Sequence, residues 1–114
     1  MIMGNFVDWP RCSTPLANVT MQSMFRIVLE CDAAKLSVQI AEQVVIDIAE
    51  EFAHRPWQTN VRCTWASRCV RLETQNDYDS QGLATRDEFS DALAACIAMY
   101  ARVGDIRIVS ITES

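Results

Sequence analysis

The chain has 114 residues, 50% of them hydrophobic and 22% charged, which suits one compact core and excludes a second core or a disordered chain. Its formal net charge of −5 at pH 7 argues against a protein that coats nucleic acid, because such binding relies on many Lys and Arg neutralising phosphates. The opening MIMGNFVDWP has no basic start and no apolar run of leader length, so the expectation is a cytoplasmic chain without membrane insertion. The 5 cysteines, an odd number with no C-x-x-C, suit reduced thiols.

Residues 1–20 mix Pro10 and Pro15 with Phe6, Val7 and Trp9, too irregular for a helix and too apolar for a solvated tail. An arm is expected there, packing on its own domain or on a second subunit, with one α+β domain over 21–114. From Gln22 to Asp32 the pattern alternates: Phe25, Ile27, Leu29 and Cys31 on one face, Met24, Arg26, Val28 and Glu30 on the other. This is a strand. Asp32 is expected to cap the helix that follows, in which Leu36, Ile40, Val44, Ile48 and Phe52 recur every four residues until Pro56 stops it near His54.

Thr59 to Gln75 reads as a hairpin. A two-residue loop at Ala66 and Ser67 sets Trp65 against Arg68, Cys63 against Val70 and Val61 against Leu72, with Cys63 and Cys69 on opposite faces. A three-residue loop from Trp65 to Ser67 places the two cysteines across from each other instead. The second helix is expected over about Arg86 to Arg102, with Phe89, Leu93, Cys96, Ile97 and Tyr100 buried, a Thr85–Glu88 capping box at its start and Gly104 at its end. A final strand, Ile106 to Ile111, sets Ile106 and Ile108 on one face and Arg107, Val109 and Ile111 on the other.

The order strand, helix, strand, strand, helix, strand resembles the ferredoxin-like plait over residues 22 to 112: a βαββαβ chain with a four-stranded, mainly antiparallel sheet and both helices on one face. In that reading each helix returns the chain to a parallel neighbour. Such a common fold carries no function with it.

Three sets of residues are candidates for chemistry. DYDSQGLATRDE resembles an EF-hand calcium loop, with Asp77, Asp79 and Gln81 at positions one, three and five, Gly82 at the turn and Glu88 at position twelve. The same residues are also fully explained as a turn, Asn76, Asp77, Asp79 and Gly82, followed by the Thr85–Glu88 cap that starts the second helix. Arg26, Arg62, Arg71 and Arg107 fall on the uncovered face of the sheet, where planar guanidinium forks suit an anionic small molecule or an acidic partner. Acids on the same face, Glu30 and Glu73, offer pairing instead, and Val28, Val109 and Ile111 suit a subunit interface. His54, the sole histidine, and Cys69 are the candidates for catalysis, although no nucleophile signature, zinc spacing or phosphate-binding glycine loop accompanies them.

The functional expectation is a small binding or assembly module, homodimeric through the open sheet face or the arm. The alternatives are a small enzyme with a site between sheet and helices, and a calcium module using Asp77 to Glu88.

Overall fold

The computed structural model describes residues 23–113. The expected arm and Gln22, the first residue of the expected strand, lie outside that range. Four strands, β1 (Phe25–Asp32), β2 (Thr59–Ala66), β3 (Cys69–Asn76) and β4 (Ile106–Glu113), form one sheet in the order β2-β3-β1-β4. With helices α1 (Val38–Ala53) and α2 (Leu83–Ile97) the chain is a βαββαβ, ferredoxin-like α+β fold.

Every neighbouring pair is antiparallel. The expectation of parallel neighbours is therefore corrected: β3 inserts between β1 and β2, so the strands that α1 joins are not adjacent.

Alternation decides which side the helices cover. Ile27, Leu29, Cys31, Val70 and Leu72 are fully buried against Ala41, Val44, Ile48 and Phe52 of α1 and Phe89, Ala92, Leu93 and Ile97 of α2. Each large side chain removed from water this way contributes about 1.5–3 kcal/mol. Phe25, Val61, Cys63, Trp65, Ile106 and Ile108 pack around this core half-buried. Among the described residues no helix is long and apolar enough to cross a membrane.

The helix starts differ from expectation at both ends of the sheet. α1 begins at Val38, not after Asp32: the Ser37 hydroxyl accepts from the Ile40 amide at 3.3 Å, while Asp32 closes β1 and its carboxylate accepts from Ala34 N at 3.2 Å. A bridging turn, 33–37, carries buried Leu36 onto the core ahead of the helix. α2 begins at Leu83, three residues before the expected start, so Thr85 lies inside the helix and the Thr85–Glu88 capping box does not form. It ends at Ile97, which leaves Tyr100 47% exposed rather than on the buried stripe. Gly104 does not end the helix; it lets β1 approach, since a Cβ there would stand 2.3 Å from the Asp32 carbonyl oxygen.

The hairpin turns one residue later than expected. Ser67 and Arg68 take φ values of 53° and 64°, both left-handed, so Ala66 pairs with Cys69, Trp65 with Val70 and Cys63 with Leu72. This is the twist a two-residue hairpin favours, though without the usual Asn or Gly. The Ala33 amide donates to the Arg68 carbonyl at 3.0 Å and holds the turn in place. The shift moves every pair by two residues, so the faces are as expected: Cys63 points to the core and Cys69 away from it, and both thiols are free.

The expected face of Ile111 is also corrected. Val28 pairs with Ser110 and Leu29 with Ile108, which leaves Val109 as an extra residue in a bulge. Beyond the bulge the alternation inverts, and Ile111 joins Ile106 and Ile108 against the core.

Candidate functional site

The uncovered face carries an alternating run of charges across three strands. Arg107 donates to Glu30 at 2.7 Å, Glu30 accepts from Arg71 at 3.2 Å, and Arg71 Nε lies 3.4 Å from Glu73, which in turn accepts from Arg26. Register explains the run: Glu30 stands beside Arg71 on β3 and Arg107 on β4, and Glu73 stands beside Val28 and next to Arg26 on β1. Arg71 Nε is within ion-pair reach of Glu73, yet its angle makes no hydrogen bond. Val28 sits among these side chains at 1% exposure, because the aliphatic stems of long charged residues can cover an apolar neighbour.

Three of the four arginines singled out from the sequence, Arg26, Arg71 and Arg107, thus have their forks occupied by Glu30 and Glu73. Arg62 is exposed on β2, opposite Glu73 in register, and makes no ion pair with the described residues. Cys69 is half-buried on the same face and accepts from Arg107 at 3.8 Å. His54, exposed, caps the C-terminus of α1 in the helical layer, so the sheet separates it from Cys69. Beside His54 runs a shallow groove bordered by Asp47, Glu50, Glu51, Cys96 and Met99.

The acidic loop at the other end of β3 is part of a buried polar network. Asn76 accepts through Oδ1 from the amides of Tyr78 and Asp79 and donates through Nδ2 to Thr85 at 3.0 Å and to Gln58 at 3.1 Å. The Asp79 carboxylate, 7% exposed, accepts from Thr85 N at 2.7 Å and Ala84 N at 3.4 Å, and so satisfies the free amides at the start of α2. Gly82, at φ 76°, supplies the left-handed step into the helix.

Glu88 faces elsewhere. Its two oxygens accept from Trp57 Nε1 at 3.1 and 3.2 Å, Tyr78 OH at 2.9 Å and Gln58 Nε2 at 3.4 Å, with Arg55 Nε at 3.2 Å. Burial and then the Glu88 carboxylate hold the Tyr78 phenol above its usual range, so it stays a donor. The structure therefore does not bring Asp77, Asp79, Gln81 and Glu88 to one point: Asp79 serves the helix start, and Glu88 ties α2 to the segment that leads into β2. Among the described residues no group of three or more His, Cys, Asp or Glu is placed to hold a metal.

The cleft at the opposite end of the sheet had no sequence signal. It is about 590 Å³, between the segment that follows β1 and the segment that precedes β4. Its floor is apolar, with Leu36 and Ile97 nearly or fully buried, and Lys35, Tyr100 and Arg102 are exposed at its rim. Irregular segments carry no periodicity, so only their meeting in space reveals the cleft.

No family model and no curated protein matches the chain. Solved structures do. A putative antibiotic biosynthesis monooxygenase from Caulobacter crescentus CB15 aligns with a TM-score of 0.55 at 18% identity, over 85% of this chain and 94% of that one. A dimeric protein of unknown function and ferredoxin-like fold from Bacteroides fragilis NCTC 9343 aligns with a TM-score of 0.52 at 16% identity, over 82% and 98%. At these identities the likeness defines the class of fold, a ferredoxin-like α+β domain. It does not extend to a particular protein or activity.

Proposed function

We propose that the chain is a small assembly module that pairs with a second copy through the open face of its sheet. The observation that carries this reading is the charged run Arg107, Glu30, Arg71, Glu73, Arg26: a face whose charges are already matched among themselves can be buried with less desolvation cost than one of lone arginines. Val109, 45% exposed beside Arg107, adds apolar surface. The rims of the sheet favour the face over the edge. The edge strand β2 is irregular between Thr59 and Arg62, where Asn60 takes φ 51°, and the edge strand β4 has the bulge at Val109; both features hinder strand addition. The similar Bacteroides fragilis protein is described as dimeric, which supports the same reading.

Light scattering tests it. The expected mass is twice the 12.9 kDa of the chain, falling toward one chain in Arg71→Glu and in Val109→Asp. Wild-type protein at one chain mass at high concentration, or a mass unmoved by both substitutions, overturns it.

A second reading, a small enzyme, draws on the cleft beside Tyr100 and on the name of the Caulobacter crescentus protein. Turnover in a screen of small organic substrates, lost when Tyr100 is replaced by Phe, is the result that would favour it.

A further inference from the structure

The cleft between the two connecting segments has features of a ligand site that are independent of whether sheet faces pair. Its volume of about 590 Å³ lies within the range of small-molecule sites, roughly 300–1,000 Å³. The floor, Ala33, Leu36, Ile97, Ala101 and Val103, is continuous with the hydrophobic core. A ligand that fills it must therefore have an apolar body.

The rim defines the other end of the ligand. Lys35 and Arg102 both border the cleft, and neither makes a hydrogen bond or ion pair with the described residues, whereas three arginines of the open sheet face are bound by carboxylates of this same chain. The acids at the rim are Asp32 and Asp105. The Asp32 carboxylate is turned to the Ala34 amide at 3.2 Å; the Asp105 carbonyl accepts from Asp32 N at 3.1 Å, while the exposed Asp105 carboxylate makes no hydrogen bond or ion pair with the described residues. The close approach at Gly104 fixes these two segments against each other at the base of the cleft. An exposed phenol, Tyr100, stands at the same rim.

We propose that this cleft binds a small amphipathic carboxylate, its apolar body on Leu36 and Ile97 and its anionic head between Lys35 and Arg102. Charge-assisted hydrogen bonds from a guanidinium and an ammonium are stronger than neutral ones, and they orient the head outward while the body excludes water from the floor.

The test is a titration of the uniformly ¹⁵N-labelled full chain, followed by amide shifts, with octanoate as probe and octanol and octylammonium as controls of equal chain length. Saturable shifts are expected at 33–36 and 100–105, with octanoate half-saturating at a concentration at least about tenfold below either control. In the double variant Lys35→Glu with Arg102→Glu that preference should vanish while the rest of the spectrum is unchanged. A second variant, Ala34→Trp, fills the mouth from an exposed position and should weaken all three probes. Shifts that do not saturate, shifts elsewhere on the chain, or equal binding of octanoate and octylammonium would overturn the assignment.

Discussion

Glu88 shows how one side chain can fit a motif and serve another purpose. Its spacing from Asp77 matches the last position of a calcium loop, yet four donors from Arg55, Trp57, Gln58 and Tyr78 converge on it. Spacing along the chain is visible in the sequence; donors arriving from thirty residues away are not. Glu88→Ala leaves those donors without their acceptor at a half-buried site, and a loss of about 1–3 kcal/mol is expected in urea unfolding. Because Glu88 and Asp79 are both engaged, millimolar calcium is expected to leave the melting temperature where chelator leaves it. A rise of several degrees that disappears in Asp77→Asn would restore the calcium reading. Cys63 offers a pH test. Burial, and to a smaller extent Cys96, pushes its thiol up from 9.0 to about 12. A raised folded value means that stability is fully present below the unfolded value and is lost as pH climbs toward the folded one. Wild-type protein should lose stability progressively between about pH 9 and 12, and Cys63→Val should lose less over the same interval.

At the scale of elements, alternation and four-residue periodicity were enough to place six elements in order and to sort core from open face on β1, β2 and β3. What periodicity does not carry is an inserted residue. Nothing in Ile106 to Glu113 marks Val109 as extra; the bulge exists because β4 must satisfy β1 and at the same time bring Ile111 over the start of α2, where a Cβ on Gly82 would lie 2.9 Å from Ile111 Cδ1. The two residues should therefore respond unequally. Ile111→Ala is expected to cost about 1–3 kcal/mol through lost burial, and Val109→Ala about 0.5 kcal/mol or less, both measured by urea denaturation. Equal costs would mean that the alternation runs straight through and that Ile111 faces outward. The hairpin makes a similar point. Ala66-Ser67 and Ser67-Arg68 are equally poor turn sequences, and the choice between them falls to the Ala33 amide, which meets Arg68 from a distant part of the chain.

For the whole molecule, the arginines of the open face were legible as a cluster with Glu30 and Glu73 beside it, but not which arginine meets which acid. The sequence places Arg26, Arg71 and Arg107 on one side together with Glu30 and Glu73; the strand order β2-β3-β1-β4 and its register decide the pairs. That order was not read from the sequence, which set parallel neighbours beside each other, and neither was the cleft at Lys35 and Arg102, because it is formed by two irregular connections of the fold. If sheet faces pair as proposed, the irregular rims of the sheet bear on how association ends. A contact that uses the same patch on both partners is its own complement and closes after one round, while strand-to-strand growth along a free rim has no natural stop. With Asn60 and Val109 interrupting the two rims, rising concentration should drive the molar mass to a plateau instead of an unbounded climb, and the concentrated solution should stay clear of fibres.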